Sequence, residues 1–306
     1  MISFQSLRTG SPQTGRSRRS VLSISAPGST VFAGNGAASA ALARLLNEWH
    51  AALVRKYPTR FSFVAVIPLP YTREAITEAT YALRKLGAAG IGLLSNHEGY
   101  YLGNSNFRPF FKALNDMSKG NITVFIHPNS PYLHVNGTLI DANPTFYGSG
   151  LVELYFDTAR TLMDLIVTGT VQNYTSIMYQ IPHTGDSFPS IIDRFLSTSS
   201  ADTAAIYKIL QTRFWWDSAG PTYPHQVQGL LAYDISKSQL IFGTVSSLAT
   251  ECYESVQAVL TCLPLGLSLW LQLQRYSPKY FTHLVLGTVG HRRYTFEQRK
   301  GNLPDS

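Results

Sequence analysis

The chain has 306 residues, enough for one large α/β domain or two ordinary ones, and its 44% hydrophobic and 14% charged residues exclude general disorder. The net charge of +7 would suit nucleic acid or a membrane surface, but it comes largely from the two ends: no acidic residue precedes Glu48, and after Glu254 only Glu297 and Asp305 occur. The basic residues are scattered without a stripe of interleaved aromatics, so neither a nucleic-acid nor a membrane partner is expected.

Residues 1–19, rich in Ser and Arg and free of acid, read as a disordered tail, with a mitochondrial presequence as the alternative. From residue 20 onward short apolar runs alternate with segments of helical period. The runs fall at 20–25, 61–69, 90–94, 122–127, 176–181, 213–216 and 240–242. The helical segments fall at 37–57, 73–86 (with Thr72 as N-cap), 107–117, 151–167, 201–210 and 225–232. Strands separated by helices of this length pair in parallel through right-handed crossovers. The expected fold is therefore α/β, a TIM-like (β/α)8 barrel that is incomplete at about seven strands. No strand signal is read before Ser20, so the barrel is expected to be open between the first and last runs, with two unpaired edges. No Gly-x-Gly-x-x-Gly opens a helix, so a dinucleotide site has no support.

The barrel is assigned to 20–247 and an atypical C-terminal segment to 248–306. Ser255–Gln274 carries no charge, but Pro264, Gly266, Gln257, Gln272 and Gln274 argue for a packed helix or a segment foreign to the fold rather than a membrane span. Cys252 and Cys262 are too few for a disulfide framework and match no zinc spacing, so a reducing, cytoplasmic setting is the default.

Two histidines close apolar strand patterns: His127 in Val124-Phe125-Ile126-His127-Pro128, and His183 after Ile177-Met178-Tyr179-Gln180-Ile181-Pro182. The C-terminal ends of barrel strands are where such folds keep metal ligands and acid–base groups. Asp217 closes Phe214-Trp215-Trp216 in the same way. It either orients a ligand from behind or caps the next turn. His97, in a loop after the 90–94 run, is placed to line the pocket. Trp216 is read as core on one side and pocket wall on the other. Asp157 and Arg160, three apart on a helix, form a surface ion pair or part of the wall, with substrate-carboxylate binding as the further option for Arg160. His134, His225, His283 and His291 read as loop or surface residues.

Pieces in order along the chain carry a resemblance. They include Leu22-Ser23-Ile24-Ser25-Ala26-Pro27-Gly28, Ile67-Pro68-Leu69-Pro70, Leu86-Gly87-Ala88-Ala89-Gly90, Val124-Phe125-Ile126-His127-Pro128, Phe156-Asp157-Thr158-Ala159-Arg160, His183-Thr184-Gly185, Trp216-Asp217-Ser218 and Leu240-Ile241-Phe242-Gly243. Together they resemble the amidohydrolase-related family, in its decarboxylase branch of aminocarboxymuconate-semialdehyde and fungal 6-methylsalicylate decarboxylases. The resemblance implies a divalent metal, usually zinc, at the barrel mouth. It also implies a carboxy-lyase of a small aromatic or phenolic carboxylic acid, working in secondary or aromatic metabolism, with a homodimer by analogy. It makes His127 a metal ligand and His183 the catalytic acid–base group. Two departures follow: the family's first-strand His-x-His pair has no counterpart, and Val245 stands where the last strand should offer an aspartate. A valine cannot bind a metal. A catalytically inactive relative or incomplete gene product, and a metal-dependent hydrolase of the same superfamily, therefore stand as alternatives.

Overall fold

The computed structural model describes residues 2–7, 19–117, 120–150, 152–220 and 222–246, with side chains from 19 to 243. The uncharged stretch, both cysteines, His283, His291 and the side chain of Val245 lie outside the described residues.

Strands and helices alternate as the periodicity predicts. The seven expected strands are β2 (Arg19–Ile24), β3 (Phe61–Val66), β4 (Gly90–Leu94), β7 (Ile122–His127), β10 (Ile177–Ile181), β11 (Phe214–Asp217) and β12 (Leu240–Ser246). All seven run parallel to their neighbours within this set. The crossovers carry α1 (Gly36–Lys56), α2 (Thr72–Tyr81), α3 (Arg108–Met117), α4 (Glu153–Val167), α5 (Thr170–Asn173), α6 (Phe188–Thr198), α7 (Thr203–Arg213) and α8 (His225–Leu231). Two short antiparallel pairs decorate the loops, β5 (Asn96–His97) with β6 (Tyr100–Tyr101), and β8 (Tyr132–Val135) with β9 (Thr138–Asp141). Among the described residues no helix is long and apolar enough to cross a membrane.

The expected open edge is corrected. Ile2–Leu7, inside the segment read as a tail, forms β1, which lies between β2 and β12 and closes the barrel. It pairs antiparallel with both. Its Ile-Ser-Phe-Gln alternation is a period-two strand signal that the Ser- and Arg-rich composition of the whole segment obscures. The Thr72 cap is also corrected: Tyr71 holds the N-cap position, and the Thr72 hydroxyl donates instead to the carbonyl of Asn106 at 2.9 Å.

The core lies between sheet and helices. Ile122, Val124 and Ile126 of β7, Ile177, Tyr179 and Ile181 of β10, and Phe214 and Trp216 of β11 all pack outward against the helical layer. Alternation then turns Phe125, His127, Gln180, Trp215 and Asp217 toward the lumen. Polar ties fix helix to strand where burial leaves no water. Buried Asn47 of α1 accepts from the N–H of Val66 at 2.7 Å and donates to its carbonyl at 2.9 Å.

Candidate active site

The site sits at the C-terminal mouth of the barrel. His127 ends β7 facing the lumen, and its Nδ1–H donates to the carbonyl of Pro128 at 2.7 Å. That bond leaves Nε2 as the nitrogen with a free lone pair. Burial lowers its pKa to about 4, with the nearby His183 charge adding to the effect against the pull of the Pro128 carbonyl. His127 is thus a neutral imidazole at neutral pH, the form that binds a metal and cannot donate a proton.

His183 follows β10 in a turn of unusual backbone. His183, Thr184, Gly185 and Asp186 have φ of 50°, 54°, 91° and 56°, four left-handed residues in succession. The turn folds Asp186 back so that His183 Nδ1 lies 2.9 Å from its Oδ1. The Tyr155 ring of α4 stacks on the imidazole, with centroids 5.5 Å apart and planes 17° apart. Burial alone would depress the His183 pKa, but Asp186, with Asp217 adding to it, raises it above the ordinary imidazole value. Burial pushes the Asp186 carboxyl up, and His183 draws it back.

Asp217 ends β11 almost fully buried. Its Oδ1 accepts from the backbone N–H of His183 and of Ala219, each at 3.1 Å. It therefore both caps its own turn and holds the His183 backbone. Burial raises its pKa against these bonds.

Of the other expected site residues, His97 borders the same lumen cavity as His127, and Trp216 and Arg160 do not. His97 is buried near His127, but Nδ1 donates to the Leu69 carbonyl at 3.2 Å and Nε2 accepts from the Leu94 N–H at 3.1 Å. Both nitrogens are engaged, and burial lowers its pKa to about 3, so only ring carbons remain for a pocket. Trp216 is corrected: it is not a pocket wall. It is fully buried in a stack with Phe214 and Phe188, because its neighbour Asp217 takes the lumen side of the strand. Arg160 is half-exposed on α4, 3.9 Å from Glu153, and does not border the cavity beside His127. Its helix neighbour Asp157 is buried and accepts from Ser95 Oγ, from Asn96 Nδ2 at 2.8 Å and from the Tyr101 hydroxyl at 2.7 Å.

Sequence reasoning missed Asp186, Tyr155 and Gln226. The His-x-x-Asp spacing at 183–186 was a visible signal for Asp186. Tyr155 and Gln226 reach His183 only through the tertiary fold.

These residues do not make a divalent-metal site. His183 Nδ1 is committed to Asp186, and Asp217 Oδ1 to two backbone N–H groups. Among the described residues no three His, Cys, Asp or Glu side chains are grouped to hold an ion. Even with His183 Nε2 counted beside His127, two imidazoles fall short of the three or four ligands a metal needs. The lumen cavity beside His127, bordered by Val66, Gly92 and Phe125, measures about 20 Å³, room for about one water.

A closed β/α barrel with a histidine–carboxylate pair and a second histidine at its C-terminal mouth defines the class, and the comparisons place the chain within it. The chain belongs to the amidohydrolase family, whose model matches residues 16–213. It is 36% identical over 181 residues to decarboxylase yanB of Aspergillus niger, covering 58% of this chain and 48% of that protein. It is 29% identical over 234 residues to the 6-methylsalicylic acid decarboxylase of Penicillium expansum, covering 73% of this chain and 68% of that one. The chain thus spans about half the length of yanB and about two thirds of the Penicillium enzyme. The crystal structure of 5-carboxyvanillate decarboxylase from Novosphingobium aromaticivorans, complexed with manganese and 4-hydroxy-3-methoxy-5-nitrobenzoic acid, shares the fold. Its TM-score is 0.63 at 18% identity, covering 80% of this chain and 70% of that one.

Proposed function

We propose that the barrel is that of a carboxy-lyase for a small aromatic or phenolic acid of the 6-methylsalicylate type. The observation that carries this reading is the His183–Asp186 pair at the barrel mouth. Removing a carboxylate from a phenol ring needs a proton at the ring carbon that bears it. With its pKa raised, His183 is suited to hold that proton and deliver it there. The carbon–carbon bond then breaks, its electron pair stays with the ring, and carbon dioxide leaves. Proton in and carbon dioxide out balance the step, and Asp186 stabilises the imidazolium before transfer. The likeness to fungal decarboxylases supports the substrate class. A cytoplasmic setting, in keeping with the low cysteine usage, and a homodimer belong to the same proposal.

The metal is where the proposal meets its counter-evidence. The Novosphingobium enzyme binds manganese. In this chain His127 is the one described residue at a position of the family's ligand set that keeps a metal-binding side chain. That observation, with Val245 and the one-water lumen, favours a second reading, a catalytically inactive relative.

One experiment decides between them. The purified 306-residue chain is assayed for divalent metal by elemental analysis and for carbon dioxide release from 6-methylsalicylate, with and without added zinc or manganese. Turnover abolished by His183→Asn supports the decarboxylase. No release under any of these conditions establishes the inactive relative.

A further inference from the structure

We propose that Gln226 is the positioning residue for His183, acting as a clamp on the left-handed turn that presents the imidazole. Three of the four residues at 183–186 are not glycine, yet all have positive φ. Such conformations are costly for residues other than glycine and persist only where the surroundings hold them. Gly185 carries the largest φ and packs so closely on Trp216 that a Cβ there would lie 2.9 Å from its ring. The N-terminal end of the turn is held by Asp217 at the His183 N–H. The carbonyl side is held from α8: Gln226 Nε2 donates to the carbonyl of His183 and, at 3.0 Å, to that of Asp186.

These two carbonyls belong to the two residues whose side chains form the acid–base pair. A single amide group, with both of its hydrogens engaged, therefore bridges the backbone of proton carrier and carboxylate. Beside the clamp, between α6 and α8, opens a cavity of about 360 Å³ bordered by Asp186, Pro189, Gln226 and Tyr233. The turn's own bonds run from the Asp186 N–H and the Thr184 hydroxyl to the His183 carbonyl and from Ser187 to the Tyr155 carbonyl, and the two amide bonds add the tie to α8.

The proposal rests on reading His183 as the proton donor, but its test does not depend on turnover. The imidazole Nδ1–H resonance of His183, shifted downfield by its bond to Asp186, is recorded by ¹⁵N-edited NMR on the 306-residue chain. It is assigned by its loss in His183→Asn. In Gln226→Met, similar in length but without a donor, the signal is expected to broaden or move toward that of a free imidazole. Gln228→Met, the same change on the exposed face of α8, should leave it in place. Gln226→Asn keeps an amide but is one methylene too short to span both carbonyls. It should show the same loss, and it carries the test if the Met variant does not fold. Should the chain turn over substrate, kcat of Gln226→Met falls about ten-fold with KM unchanged, the loss of roughly one hydrogen bond in the transition state. An Nδ1–H signal unchanged in the folded Gln226 variants overturns the proposal.

Discussion

The carboxyl group of Asp217 lies directly against the bare backbone of Gly243. A Cβ on Gly243 would stand 2.8 Å from Asp217 Cγ and Oδ1. The last strand must lack a side chain at this point for the carboxylate to reach the His183 N–H. The requirement on Gly243 is therefore one of close approach, and it links β12 to the acid–base turn through β11.

Gly243→Ala should accordingly destabilise the barrel by about 1–3 kcal/mol, the usual cost of forcing an extra carbon into a packed site. Urea unfolding measures this. Gly229→Ala provides the contrast: it is an exposed helical glycine with nothing within 4 Å of its added Cβ. There the same change should stabilise by up to about 1 kcal/mol through helix propensity. Equal midpoints for both variants would show that Asp217 yields freely.

Stability should fall on mild acidification. His50, His97 and His127 are held neutral by burial, with pKa values of about 3, 3 and 4. In the unfolded chain each regains a value near 6.5. Below about pH 6.5 the unfolded state binds protons that the folded state refuses, so stability is lost as the pH drops toward 4. The slope is about 1.4 kcal/mol per pH unit for each group. His183 has the opposite sign: its raised pKa adds stability below pH 6.5 that disappears as the pH rises through its folded value. Urea midpoints at pH 7, 6 and 5 test this, and a flat profile would contradict the burial of the three neutral imidazoles.

Asp157 should prove structural. Its carboxylate satisfies Ser95, Asn96 and Tyr101, and Ser95 in turn donates its N–H to the His127 carbonyl at 2.8 Å. Asp157→Ala takes the acceptor from the buried Ser95 hydroxyl, from one of the two Asn96 amide hydrogens (Nδ2 also donates to the Ser130 carbonyl) and from the half-buried Tyr101 hydroxyl, at a cost of about 2 kcal/mol or more. Thermal and urea unfolding of Asp157→Ala and Arg160→Ala, side by side, should show a large loss only for the first. A small loss at Asp157 would remove its claim to hold the β4 and β7 loops together.

Removing residues 1–18 takes away β1 and leaves β2 and β12 with unpaired edges. Such edges recruit other chains, so the trimmed protein should self-associate further than the full chain does. Light scattering of both at equal concentration gives the comparison. A trimmed chain that keeps the full chain's oligomeric state and unfolds cooperatively would mean that β1 contributes little to closure.

Much of the architecture is determined by sequence alone. Apolar runs at 20–25, 61–69, 90–94, 122–127, 176–181, 213–216 and 240–242 became the seven parallel strands, because a strand buried on both faces needs a continuous apolar run that local pattern displays. The places of His127, His183 and Asp217 at strand ends were legible for the same reason. Local pattern does not reveal which neighbours a side chain meets. Only the tertiary structure decided that β1 closes the barrel, that Trp216 faces the helices, and that both nitrogens of His97 are engaged by backbone. It alone set the left-handed turn that brings Asp186 under His183, and the clamp by Gln226 from a helix about 40 residues onward. Strand ends follow from periodicity within a few residues. Hydrogen-bond partners and strained turns follow from packing between elements far apart in the chain, where no periodicity reaches.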